Sequence, residues 1–130
     1  MFRELLTPST DGFYRPIPYM LSVIDYNVWG GSPVGFHITN TALHGVAAVL
    51  VYFVAAAILG YGLGPMIVAL LFAVHPIHTE AVSYIAGRTD VTLGIFFLLS
   101  LLLYIGFRRS AGRAGHVLYA GSVLAFILAL

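Results

Sequence analysis

His75-Pro76-Ile77-His78-Thr79-Glu80, followed by Arg88-Thr89-Asp90, gathers the side chains of this sequence best suited to chemistry. Between Thr41 and Phe107 nothing else ionises except His44 and tyrosines. Imidazole and carboxylate are both metal ligands, so His75, His78 and Glu80 form one candidate set, although their spacing matches no established zinc signature. A harder cation, Mg²⁺ or Mn²⁺, would suit Glu80 together with a substrate phosphate and a carboxylate elsewhere. Arg88, with Arg15 from the amino-terminal segment, carries the planar fork that pairs with phosphate oxygens. Glu80 and the histidines are also candidates for proton transfer, their pKa ranges being suitable once perturbed. On a helix beginning at Pro76, residues Glu80, Tyr84 and Arg88 recur every fourth position and share one face. His37, Asn40 and His44 share another. Plainer readings stand beside these: a polar loop at a membrane surface, an Arg88 neutralised by Asp90 or Glu80, and interhelical hydrogen bonds from His37, Asn40 and His44.

The surroundings of these groups are apolar enough to sit in lipid. Hydrophobic residues make up 60% of the chain and charged residues 8%, with a mean hydropathy of +0.96. Soluble domains carry about a quarter charged residues, so the chain is expected to be an all-α integral membrane protein. Ionisable groups at membrane depth are costly and point to function by default. A net charge of +1 with no basic run longer than Arg108-Arg109 argues against a nucleic-acid partner. The chain has no cysteine, which removes disulfides and thiolate metal sites.

At about 20 residues per crossing, 130 residues hold a bundle of three or four transmembrane helices. Residues 1–40 read as a segment outside the membrane, and 41–130 as the bundle, with spans near 41–59, 61–74, 91–107 and 116–130. In the first part, Pro16 and Pro18 open and Gly30-Gly31 close a short helix whose apolar run Asp25 and Asn27 interrupt. Its aromatics, including Tyr19, Tyr26 and Trp29, favour the membrane interface. Gly60 to Pro65 is a turn. The apolar segment after it, Met66 to Val74, reaches about half of a hydrocarbon core of about 30 Å. A helix break is therefore expected near His75, with Pro76 in the first turn of a new helix running to about Ala86. Broken helices at that depth need protein or a water-filled cavity around them. Arg108, Arg109 and Arg113 form the only basic cluster, which the positive-inside rule places in the cytoplasm. The His-Pro motif and the amino-terminal segment then share the opposite face. An amino terminus without signal peptide on that face, and a last apolar run that stops at Leu130, suggest a piece of a longer protein.

Several stretches recur together in one known family. They are Tyr14-Arg15-Pro16-Ile17, Gly35-Phe36-His37-Ile38-Thr39-Asn40 with His44, Phe72 to Val82 around the His-Pro motif, and Gly87-Arg88-Thr89-Asp90. In this order they resemble the membrane part of the transmembrane and tetratricopeptide-repeat-containing O-mannosyltransferases and their prokaryotic relatives, which have the GT-C fold. The resemblance implies a multi-span enzyme that moves a sugar, typically mannose, from a polyprenyl-phosphate donor to a protein hydroxyl on the luminal or extracytoplasmic side. The membrane would be that of the endoplasmic reticulum or a prokaryotic plasma membrane. Glu80 then falls at a second external acidic site as the catalytic residue. Arg15 and Arg88 suit the donor phosphate, and His75, His78, Asp90, His37, Asn40 and His44 support them. A divalent cation (Mg or Mn) at Glu80 and His78 remains the candidate cofactor read from the residue types themselves. The first span and its paired acidic residues are missing from the pattern, Asp11 being the nearest carboxylate, so the 130 residues alone are expected to be inactive. Two rival readings are a non-catalytic membrane module for lipid binding or assembly, and a small transporter-like protein that binds an ion at the break.

Overall fold

The computed structural model describes residues 16–84 and 87–130. All of their regular structure is helical: α1 Pro16–Trp29, α2 Pro33–Leu59, α3 Leu63–Val74, a 3₁₀ turn Pro76–His78, α4 Thr79–Ser83, α5 Arg88–Arg109 and α6 Gly112–Ala129. α2, α5 and α6 are long and apolar enough to cross a membrane. The protein is an integral membrane protein built as a helical bundle.

Sequence explains most of the boundaries. Pro33 stands in the first turn of α2 behind an extended Ser32, where its missing N–H costs nothing. α2 ends at Gly60, whose φ of 84° few other residues tolerate. α3 stops after 12 residues, about 18 Å of rise. Pro76 forces this stop, because the residue before a proline is pushed out of the helical region, and His75 has φ −68° and ψ 129°.

Two boundaries differ from the sequence reading. α2 begins at Pro33, so residue 40 lies inside a continuous helix and no boundary falls there. The helix expected from Pro76 to Ala86 is instead a 3₁₀ turn and a five-residue α4, after which Tyr84 is extended at φ −90° and ψ 127°. Val82, Ser83 and Tyr84 are indifferent helix formers, and a side chain from α2 takes the carbonyls of Val82 and Tyr84. Glu80 and Arg88 consequently belong to different helices and do not share a face.

α2 packs along α3 and α5, and α5 packs along α6. The buried apolar residues are small, among them Ala47, Ala55, Ala56 and Ala125, as in membrane bundles where close backbone approach replaces a hydrophobic drive. Between α5 and α6 the Ser100 hydroxyl donates to the Ser122 carbonyl at 2.9 Å. Large side chains face outward, Val74 being 75% and Leu63 73% exposed, toward lipid or further helices. α1 lies against the start of α2. A Cβ on Gly35 would stand 2.2 Å from Cγ of Trp29. Gly35→Ala therefore has to displace the indole, and overpacking of this kind costs about 1–3 kcal/mol. Gly45→Ala, with nothing within 4 Å of its Cβ, is expected to be neutral or slightly stabilising. Thermal unfolding of the two variants in detergent compares them directly.

Candidate functional site

The α1 helix has one polar face, Ser22 and Asp25, set three residues apart so that both side chains point the same way. That face meets Asn40 and Thr39 on α2 and Arg88 at the start of α5. Arg88 is 1% exposed, Asn40 0% and Asp25 5%. The guanidinium divides its donors between two helices, α1 and α2. Nη2 pairs with Oδ2 of Asp25, Nε donates to Oδ1 of Asn40 at 3.1 Å, and Nη1 donates to the Ser22 hydroxyl at 3.4 Å. The Thr39 hydroxyl donates to the other Asp25 oxygen at 3.0 Å. Ser22 donates onward to the Pro18 carbonyl at 2.9 Å. The Phe36 ring lies 5.5 Å from the guanidinium carbon, within cation–π range.

This arrangement accounts for Arg88 differently from the sequence reading. Its counter-charge is Asp25, 63 positions away, and not Asp90 or Glu80. With its donors turned inward and 1% exposure, the guanidinium presents no face to a phosphate. Asp90 is exposed in the first turn of α5, where a carboxylate complements the helix dipole. Arg15 lies outside the described residues. Asp25 is the functional residue that sequence reasoning passes over, since one carboxylate in an interfacial helix looks like a solvated face. The Ser22/Asp25 spacing and the need of a buried arginine for an anion are the signals that find it.

The second cluster sits at the helix break. His44 Nε2 bonds the Ala73 carbonyl at 3.1 Å, one of the last carbonyls of α3 that have no helical partner. A carbonyl only accepts, so this nitrogen carries the proton. His75 Nδ1 accepts the Ile77 N–H at 3.2 Å and starts the 3₁₀ turn. The His78 ring lies 4.3 Å from Phe72 and 5.1 Å from His44, centroid to centroid. His37, expected with these groups, is exposed on α2 and lends only its carbonyl, to the Thr41 hydroxyl at 2.8 Å. Among the described residues no three His, Asp or Glu side chains converge where they could hold a metal ion.

Glu80 stands apart from both clusters. It is exposed on α4, in an open groove of about 720 Å³ lined by Pro76, Ile77, Thr79, Ser83 and Tyr84. Its height in the bundle follows from His44, which is level with the break. The 16 residues from His44 to Leu59 rise about 24 Å. With Leu59 near one surface, the break lies close to the other boundary of a hydrocarbon core about 30 Å thick. Glu80 can then meet a ligand whose head is in water and whose tail is in lipid.

Fold and site together define a multi-span helical membrane protein with an acidic groove at a helix break, braced by a buried ion pair. No protein-family model matches the chain, and no solved structure matches it. Curated relatives do. Protein O-mannosyl-transferase tmtc2 of Xenopus laevis is 46% identical over 92 residues, which is 71% of this chain and 11% of that protein. Human protein O-mannosyl-transferase TMTC4 is 40% identical over 118 residues, covering 79% of this chain and 16% of the relative. Mouse protein O-mannosyl-transferase TMTC3 is 36% identical over 115 residues, covering 88% and 12%. The chain belongs to this TMTC family and spans about a ninth to a sixth of the length of these relatives.

Two outcomes test the geometry. Asp25→Asn or Arg88→Met alone strands a buried charge or donor and is expected to cost about 3–5 kcal/mol. The double variant should recover much of that loss, and a double-mutant cycle on unfolding in detergent measures the coupling. Burial first, then the neighbouring His44 and His75, lowers the pKa of His78 below the usual imidazole value. The unfolded chain therefore binds this proton more readily. The contribution of neutral His78 is fully present above its unfolded value of about 6.5 and is lost as pH falls from there to the lower folded value. Removing the imidazole with His78→Gln should flatten that part of the stability–pH curve.

Proposed function

We propose that this segment forms the acceptor-side wall of a membrane glycosyltransferase that moves a sugar, mannose by the names of the relatives, from a polyprenyl-phosphate donor to a protein hydroxyl. One observation carries the reading beyond the family relationship. Of the carboxylates in the described residues, Asp25 is committed to Arg88 and Asp90 caps the dipole of α5, whereas Glu80 opens onto the groove. In this role Glu80 takes the proton of the acceptor hydroxyl as its oxygen attacks the anomeric carbon. The bond from that carbon to the phosphate oxygen breaks, and the phosphate leaves with the electron pair. Positioned proton transfer of this kind contributes about 10²–10⁴-fold.

Recognition of the leaving phosphate falls to Arg15 in this reading, with Arg88 fixing the wall. If a divalent cation takes part, Glu80 and His78 would be the residues to hold it, together with the donor phosphate, and its charge would stabilise the leaving phosphate. The arginines at the far end of the bundle, Arg108, Arg109 and Arg113, support a cytoplasmic position for that end and a luminal or extracytoplasmic one for the groove.

The test uses membranes that contain the full-length protein and a radiolabelled polyprenyl-phosphate sugar. Glu80→Gln is expected to reduce transfer by about 10²-fold or more with membrane insertion unchanged. Turnover retained by Glu80→Gln would reassign the groove to lipid binding or assembly without catalysis.

A further inference from the structure

We infer that Asn40 is a positioning residue, which sets Glu80 by holding the backbone of the α4 turn against the Arg88–Asp25 pair. The inference rests on the catalytic reading of Glu80 but is read from a different part of the molecule. Asn40 is fully buried, and its two amide ends have different tasks. Nε–H of Arg88 can only donate, so the amide oxygen must face it. That choice fixes the orientation of the whole group. The NH₂ end is thereby aimed at the carbonyls of Val82 and Tyr84, at 3.4 and 3.3 Å.

Those two carbonyls flank the end of α4. A helix of five residues leaves carbonyls such as that of Val82 without intrahelical partners, while that of Tyr84, just beyond it, also accepts the Gly87 N–H at 3.0 Å; α4 is too short to be stable by itself. Asn40 answers both needs with one group. It ties α4 to α2 at a point two residues beyond Glu80, and Asp25 holds the guanidinium that keeps the amide from turning over. The position of Glu80 thus depends on an α2 side chain that does not touch the groove, for Asn40 is absent from its lining.

Asn40→Asp separates this role from general support. The new carboxylate has the same shape and still accepts from Arg88, but it turns an oxygen, not an N–H, toward two carbonyl oxygens. The α4 turn should loosen while the helices stay assembled. A misplacement of about 1 Å in a catalytic group can cost about 10²-fold. Asn40→Asp is accordingly expected to lower kcat by about that factor with KM little changed. Asp25→Asn, which weakens the hold on the guanidinium but leaves Asn40 its amide, should lower turnover per folded molecule less than Asn40→Asp does and reduce the amount of folded protein more.

A readout independent of activity uses the lack of cysteine in these 130 residues, with any cysteine elsewhere in the full-length protein replaced. Spin labels at Ser83→Cys and Val46→Cys, both exposed, report the distance from α4 to α2 in membranes. One narrow distance distribution is expected in the parent, and a broadened one with Asn40→Asp. If Asn40→Asp does not assemble, Asn40→Gln retains the amide one methylene further out and should shift the distance instead. An unchanged narrow distribution in the assembled variant, or a kcat that falls only in step with the folded fraction, would overturn the inference. Retained transfer by Glu80→Gln overturns the catalytic reading alone and leaves the distance result to stand or fall separately.

Discussion

An arginine that is 1% exposed at the end of a helix made of lipid-soluble residues has to be answered by an anion, and Asp25 supplies it from α1. The rest of the upper bundle follows from that requirement. Because Asp25 must reach Arg88, α1 cannot lie loosely at the interface; it docks with Ser22 and Asp25 turned inward. The docking is close enough that Trp29 lies directly over Gly35. Because the guanidinium has donors to spare, it also captures Asn40, and through Asn40 the backbone beyond α4. Buried ion pairs of this sort add little net stability, since desolvation offsets the attraction. What they give is a single allowed arrangement of the elements that share them.

A second constraint acts at the break. A proline ends α3 inside or near the lipid, where orphan carbonyls cost several kcal/mol each. The polar side chains near the break meet this demand. His44 answers Ala73, His75 answers the N–H of Ile77, and Asn40 answers Val82 and shares the Tyr84 carbonyl with the Gly87 N–H. Of the ionisable residues of the His-Pro motif, only Glu80 lines the open groove. The cluster of polar residues is therefore divided, with most of its members stabilising an interrupted backbone and one left free for chemistry.

This division explains what the sequence could and could not disclose. Segments whose cause is local are legible in it. Pro76 and the short run before it place the break at His75, and the glycines of residues 60–64 place the turn. The length and apolarity of the later segments give α5 and α6 within a few residues. Features with a distant cause are not legible. The polar residues from His37 to Asn40 read as belonging to or opening from a segment outside the membrane, yet they continue α2 from Pro33, with Thr39 and Asn40 finding partners on α1 and α5. Arg88 reads as a companion of Asp90 or Glu80 because they are near in sequence. Its partner is 63 residues away, on a helix whose single carboxylate looks solvated. Periodicity shows which side chains share a face, but not which face another helix will cover.

α5 is held by arginine at both ends. Arg88 binds α1 and α2 at the start, and Arg109 donates to the Ala57 carbonyl near the carboxyl end of α2. These two points make α2 and α5 run parallel, as the alternation of spans requires with α3 between them. Between the two arginines the one buried polar bond of α5 to another helix among the described residues is that of Ser100 to α6, and apolar packing against α2 and α6 holds the rest. The first turn of α5 is the end that charge holds in place. The groove at Glu80 is built from α4, which is tied to that first turn through Asn40. Its geometry is thus set by the polar network at the start of α5.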